Sequence, residues 1–139
     1  MTSNEFPKAP LDDDEAALAA RLFDLARSGD GATLGAYIDQ GINVDLMNHD
    51  GNTFLMLAAY AGNTSALEAL IARGADVNRL NDRGQSPLAG AIFKKEDAVV
   101  DMLLAAGADP TAGTPSAIDT ARLFGQHDLV QRLEAAGGR

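Results

Sequence analysis

The sequence predicts an all-α fold, a solenoid in which short helix-turn-helix units stack side by side and hairpin-like loops connect them. Two observations predict it. Glycines recur at a constant spacing, as at Gly41, Gly74 and Gly107, and the apolar residues around them follow the same period. Within each period, two short segments carry apolar residues at helical spacing, and in most units a glycine separates them.

The repeated strings extend beyond the glycines. Gly-Ala-Asp-Val-Asn at 74–78 is matched by 107–111 and more loosely by 41–45. The string 53–58 aligns with 86–91, and a third copy at 116–121 follows at a slightly shorter spacing. A period shared by turn residues and apolar residues indicates one structural unit used several times.

Unit 48–80 shows the expected order of elements. Thr53 is expected to cap a first helix, and Gly62 ends it in a left-handed conformation. A second helix ends at Gly74, and turn residues at 81–84 lead into the next unit. The apolar residues that define the two helices are Leu55, Leu57, Ala58 and Ala59, then Ala66, Leu67, Leu70 and Ile71. Helices this short are unstable alone in water, so each unit needs its neighbours.

On these residues the chain resembles the ankyrin repeat family, whose repeat has the same length, a Thr-Pro-Leu-His-x-Ala signature and a Gly-Ala-Asp-Val-Asn ending. The resemblance implies one repeat domain at 11–139, preceded by an N-terminal arm at 1–10. Its four units are expected at 16–47, 48–80, 81–110 and 111–137, with the first and last acting as caps.

The chain departs from the family pattern in several places. The signature histidine is replaced by Met56, Ala89 and Asp119, so part of the usual hydrogen bonding between units is expected to be missing. Lys95 replaces the glycine that ends a first helix. Glu134 replaces an apolar residue of the other units and fits the solvated face of a terminal cap.

A separate signal marks the start of the first unit. Asp12 and Glu15 have the spacing of a capping box, which is expected to open a helix at 16–26. The acidic run 12–15 around them also suits a helix N-terminus, because the helix dipole favours negative charge there. We therefore interpret this run as a helix start and not as a site for a divalent ion.

Composition limits the function. The 139 residues fit one domain, and the net charge of −9 opposes binding to nucleic-acid phosphates. The chain has no cysteine, and its N-terminal sequence lacks the pattern of a secretory signal. No apolar run is long enough to span a membrane. We therefore expect a cytoplasmic, monomeric protein that binds neither nucleic acid nor membrane.

Motifs that carry chemistry are weak. His49 and His127 are expected to be solvated. The residues 48–51 resemble the middle of a calcium-binding loop, but leucines occupy the first and last ligand positions, so we do not expect calcium binding. The glycines near 29–35 lack the spacing of a phosphate-binding loop. We expect no metal, no cofactor and no catalytic residues.

The resemblance implies that a partner binds the concave face, which hairpin tips and first helices form. The tip positions that it indicates are Met47, His49, Asp50 and Asn52, then Leu80, Asp82, Arg83 and Gln85. The first-helix positions are Tyr60 and Ala61, then Phe93 and Lys94, then Leu123 and Phe124.

Two interpretations of the aromatic positions Tyr60 and Phe93 stay open. The rings either complete the core or form a stripe that anchors a partner. In the second case Arg83 and Lys94 would select an acidic segment, because they belong to a locally positive stretch at 79–95.

The leading functional hypothesis is a non-catalytic module that binds a protein partner, as an adaptor or an inhibitor. One alternative is an enzyme or a small-ligand binder that uses the groove. Another is a self-assembling structural protein, which charged residues in the last unit oppose: Arg122, Arg132 and Glu134.

Overall fold

A computed structural model describes residues 13–137, and this part of the chain folds into eight helices. In chain order they are α1 Asp13–Ser28, α2 Gly31–Asp39, α3 Phe54–Ala61, α4 Thr64–Ala72, α5 Pro87–Phe93, α6 Asp97–Ala105, α7 Ala117–Leu123 and α8 His127–Gly137. The predicted all-α repeat fold is confirmed. The arm at 1–10 and Asp12 of the capping box lie outside the described residues.

Helix α1 is longer than the sequence predicts. It runs from Asp13 to Ser28, whereas the capping box predicts a helix over 16–26. Its first turn carries Asp13, Asp14 and Glu15, whose negative charges stabilise the N-terminal end of the helix dipole. The acidic residues at 13–15 therefore belong to the helix itself.

The following inner helices begin on equivalent capping residues. The Thr53 hydroxyl accepts a hydrogen bond from the Met56 N–H, as the sequence predicts. Ser86 and Ser116 cap α5 and α7 in the same way, at the equivalent positions. These caps satisfy N–H groups that a helix leaves unpaired at its start, so each short helix begins at a defined residue.

The same inner helices end in a left-handed residue. Gly62 has a φ of 72° after α3, and Gly125 has a φ of 69° after α7. Lys95 occupies the equivalent place after α5 with a φ of 62°, although its β-carbon makes this conformation unfavourable. The turn geometry of the repeat is therefore retained where the glycine is lost.

The helices lie in two rows. Helices α1, α3, α5 and α7 pack side by side as an inner row, and α2, α4 and α6 pack as an outer row that α8 continues. The core lies between the rows, where Phe23 and Phe54 pack with ring centroids 4.7 Å apart. Its other large, fully buried members include Leu55, Leu67, Leu70, Leu88, Ile92 and Leu103.

Loops between units form hairpin-like fingers that bond to one another. The Asn48 N–H donates to the Asn52 carbonyl at 3.0 Å, and the Asn81 N–H donates to the Gln85 carbonyl at 3.1 Å. The Asn81 side-chain amide then donates to Asn52 Oδ1 at 2.9 Å, which joins one finger to the next. Because the fingers are bonded in a row, they fix the lateral spacing of the inner helices.

Asn63 links two units through one side chain. Its amide nitrogen donates to the carbonyls of Ala26 at 3.0 Å and Gly29 at 2.9 Å, at the end of α1. Its amide oxygen accepts from the Ala66 N–H, at the start of α4. The family's signature histidine is Met56 here, which is fully buried, so Asn63 supplies polar contacts between units that the apolar Met56 side chain does not.

Ion pairs tie the outer row and the last unit. Arg73 lies against the carboxylate of Asp39 at 2.9 Å, and its hydrogen bonds hold the pKa of that carboxyl below its usual range. Arg122 lies 2.9 Å from Glu134, which is exposed as the sequence predicts for a cap. Arg122 and Glu134 therefore place charged groups on the last helix pair.

The double role of Asn63 makes a stability prediction. Asn63→Asp keeps an oxygen that can cap α4, but it removes the donors to the α1 carbonyls and sets a negative charge beside them. We expect the free energy of unfolding to fall by about 2 kcal/mol, measured by urea denaturation. Asn63→Ser, which also keeps a capping oxygen without the charge, should cost less; equal stability of Asn63→Asp and the wild type would contradict the link.

Candidate functional site

Along the inner row, the stack contains a half-open cavity, called here the apolar groove. It lies between α5, α7 and the adjoining fingers and has a volume of about 320 Å³. Its lining residues are Tyr60, Gln85, Ala89, Gly90, Phe93, Lys94, Pro115, Thr120, Leu123 and Phe124. The groove thus combines residues of three inner helices with Gln85 and Pro115 from the loops that precede α5 and α7.

Large apolar side chains are exposed mainly at this groove. Phe93 is 62% exposed, Leu123 78% and Phe124 41%, and the rings of Phe93 and Phe124 pack with centroids 5.6 Å apart. Among the described residues, the other exposed large apolar side chain is Leu80, at the base of a finger. Exposed apolar residues grouped in one concavity are typical of a binding surface.

Tyr60 forms one wall of the groove. Its ring lies directly on Gly90, where any β-carbon would overlap it, and its hydroxyl lies 3.5 Å from the Ser86 carbonyl, to which it donates. Burial raises the pKa of Tyr60 to about 12. Tyr60 is half-buried, so its ring takes part in packing between units as well as in the groove wall.

The apolar residues at the ends of successive inner helices are progressively less covered. Tyr60 near the end of α3 rests on α5, and Phe93 at the end of α5 rests against Phe124. Leu123 at the end of α7 has no following inner helix in the described part of the chain and is the most exposed of the three. The structure thus separates two residues that the sequence treats alike: Tyr60 is largely packed and Phe93 is largely free.

The other predicted positions are spread along the fingers. Gln85, Lys94 and Phe124 line the groove with Tyr60 and Phe93. Met47, His49, Asp50 and Asn52 lie in the preceding finger and do not line it, and neither do Leu80, Asp82 and Arg83. Leu123, which the sequence also indicated, lines the cavity as well, so the structure brings six predicted positions together there. The finger positions other than Gln85 do not line it.

Several groove residues were not predicted. Gly90 occupies the position of Leu57 in the preceding unit. The missing side chain at this repeat position is the feature of the sequence that could have identified Gly90 as a groove residue. Pro115 and Thr120 come to the groove in the last unit, where the spacing between repeats shortens. Because of that change, aligning the units at a constant repeat length does not show that Pro115 and Thr120 reach the groove.

The groove's lining offers little for catalysis. Tyr60 and Lys94 are its titratable side chains, and the raised pKa of Tyr60 keeps its hydroxyl protonated at neutral pH. Within residues 13–137, no group of three or more histidine and carboxylate side chains is arranged to hold a metal ion. No helix in that range is both long enough and apolar enough to cross a lipid bilayer.

The contact of Tyr60 with Gly90 predicts that Gly90→Ala destabilises the wild type but stabilises a Tyr60→Ala variant. Gly90→Ala would normally stabilise a helix by about 0.5–1 kcal/mol. Here the added methyl collides with the Tyr60 ring, so we expect the variant to be less stable by about 1–3 kcal/mol in urea denaturation.

In a Tyr60→Ala background the obstacle is gone, and the same Gly90→Ala change should then be stabilising. A Gly90→Ala effect of the same sign and size in both backgrounds would show that the ring does not rest on this glycine.

Burial of Tyr60 predicts that its phenol ionises at a higher pH in the folded protein than in the unfolded one. The chain has two tyrosines and no tryptophan, so a Tyr37→Phe variant leaves Tyr60 as the source of phenolate absorbance. We expect an absorbance midpoint near pH 12 in the folded protein and near 10.0 in urea. Because the unfolded form loses this proton first, the contribution of Tyr60 to stability is full below pH 10.0 and is lost as pH rises toward 12. A folded midpoint near 10.0 would contradict the packing.

Comparison with known proteins agrees with this architecture. The model of the family described as ankyrin repeats (3 copies) matches residues 22–114. An ankyrin repeat protein of Pseudomonas aeruginosa is 41% identical over 56 residues, which make up 40% of this chain and 33% of that protein. The match thus spans about a third of the length of that relative. Since the family model covers well over half of the sequence, the chain belongs to the ankyrin repeat family.

Proposed function

We propose that this protein is a non-catalytic interaction module that binds a partner protein through its concave face, as an adaptor or an inhibitor. Ankyrin repeats generally serve as protein–protein interaction modules. The observation that carries the proposal for this chain is the apolar groove, where Phe93, Leu123 and Phe124 are exposed together. Burial of these side chains by a partner would remove them from water.

The placement of these side chains on helix ends supports tight recognition. Phe93 is the last residue of α5, and Leu123 is the last residue of α7. Both helices are capped and packed into the inner row, so their backbones are already ordered before a partner arrives. A preformed surface loses little conformational entropy on binding, which leaves more of the contact energy for affinity.

The proposal extends to the fingers beside the groove. Met47, His49, Asp50 and Asn52 would contact a partner that extends past Tyr60 along the concave face. Leu80, Asp82, Arg83 and Gln85 would contact it beside Phe93, Lys94 and Phe124. The protein is proposed to act as a cytoplasmic monomer without a cofactor, and Arg122 and Glu134 at the last helix pair oppose end-to-end assembly.

Site-specific crosslinking tests the proposal. A photoreactive residue replaces Lys94 or Leu123 in the groove, or Ala98 or Gln131 at exposed positions of the outer row. After irradiation in the native cytosol, we expect the two groove positions to capture the same protein, and the two outer positions to capture little of it.

The second step uses a substitution that spares the fold. Phe93→Ser should reduce the groove adduct by about tenfold or more, because interface anchors contribute about 2 kcal/mol or more. Its melting temperature should stay close to that of the wild type, since Phe93 is largely exposed. Equal adducts from inner and outer positions, or adducts unaffected by Phe93→Ser, would contradict binding at the groove.

A further inference from the structure

One positive charge lies in the apolar groove, and two further basic residues belong to the segments that supply its lining. Lys94 is the one charged side chain among the residues that line the groove. Lys95 follows it at the end of α5, and Arg83 lies in the finger that also supplies Gln85. All three side chains are exposed.

These three cations differ from most of the other basic residues of the described chain. Arg73, Arg79, Arg122 and Arg132 each lie 2.9–3.6 Å from a carboxylate. Arg83, Lys94 and Lys95 form no such ion pair within residues 13–137. Their charges are therefore available to an incoming group.

The nearest acidic residues in the sequence do not line the groove. Asp82 and Glu96 flank Arg83 and Lys95, and neither belongs to the lining. The Glu96 carboxylate instead reaches back to the end of α3, where it occupies the space that a β-carbon on Gly62 would need. Lys94 therefore places a positive charge inside the groove of a protein whose net charge is −9.

The cavity itself suits an apolar side chain. Its volume of about 320 Å³ is at the lower end of the range for small-molecule sites, roughly 300–1,000 Å³, and it is open on one side. A single large aliphatic or aromatic side chain can enter between Tyr60, Phe93 and Leu123, while the chain that carries it stays outside. A residue next to that anchor would then lie beside Lys94.

We infer that the groove binds a short partner segment in which one large apolar residue is flanked by Asp or Glu. This inference rests on the proposed function and adds the chemistry of the partner. The apolar anchor fills the cavity, and the flanking carboxylates pair with Lys94, Lys95 and Arg83. The net charge of −9 repels acidic segments elsewhere on the surface, so this local pairing also fixes where the segment docks.

A second copy of this chain fits the groove less well. Two copies each carry a charge of −9, so they repel each other at low salt. The exposed apolar surface of the groove is made of three side chains, far fewer than the roughly 20–30 residues a side of a standard stable interface. Self-association is therefore an outcome of the test below and not the proposal.

Selection from a random peptide library displayed on phage tests the inference without knowledge of the partner. The full chain is the target, and peptides that also bind the Phe93→Ser/Leu123→Ser variant are removed. We expect the remaining peptides to share one Leu, Ile, Phe, Trp or Met with Asp or Glu within a few positions. A light-scattering measurement of the target alone, at several concentrations, reports self-association.

A charge reversal then tests the pairing. Lys94→Glu should lower the affinity for a selected acidic peptide by about tenfold at low salt, and by much less at about 1 M salt. The matched control Arg27→Glu reverses a charge on the far end of the stack, in α1, and should change the affinity little. A peptide in which Lys replaces the flanking Asp or Glu should bind Lys94→Glu better than it binds the wild type.

The outcomes separate the two proposals. Groove-dependent peptides that are uncharged or basic would overturn the acidic partner and leave the binding groove in place. A failure to recover peptides that need Phe93 and Leu123 would count against a linear partner segment altogether. Concentration-dependent dimers that the double variant abolishes would replace the partner with a second copy, while the crosslinking test would still report on protein binding at the groove.

Discussion

Lateral packing between units is the constraint on which the rest of this structure depends. Inner helices as short as α3, α5 and α7 cannot persist alone in water, so each must bury its apolar face against the helices beside it. The capping hydroxyl of Thr53, the links that Asn63 makes to α1 and the bonds between neighbouring fingers hold that packing in one register. As a consequence, the ends of the inner helices fall in a row along one side of the stack.

The side chains at the ends of the inner helices determine the shape of the groove. Gly90 lets the Tyr60 ring lie across α5, which closes one side of the cavity and uses part of the ring for stability. Phe93 and Leu123 have no comparable cover, because Phe93 meets only the edge of the last inner helix and Leu123 ends it. The apolar side chain at the end of each inner helix is thus packed in one unit and exposed in the units that follow. Exposed apolar side chains lower solubility, so their grouping in one place on a strongly charged protein favours a binding role.

Much of the fold could be predicted from the sequence because its signals are local. Helix periodicity, the cap at Thr53 and the left-handed turn at Gly62 each depend on residues within one unit. The contacts between units, including the one that closes a side of the groove, are not local. Asn63 reaches back to carbonyls of the preceding unit, and Tyr60 lies on a glycine in the next unit, so neither contact follows from spacing alone. The sequence therefore indicated some of the residues that line the groove and missed others, such as Gly90 and Thr120. It also left open whether Tyr60 and Phe93 pack or are exposed.

Hydrogen–deuterium exchange of the protein with and without its captured partner can locate the binding surface, since it reports every backbone segment at once. If the groove binds the partner, protection increases in 81–95 and 114–125, which supply the groove lining, and stays unchanged in the outer helices α2, α4 and α6. Added protection confined to the outer helices, or spread evenly over the whole stack, would contradict recognition at the concave face.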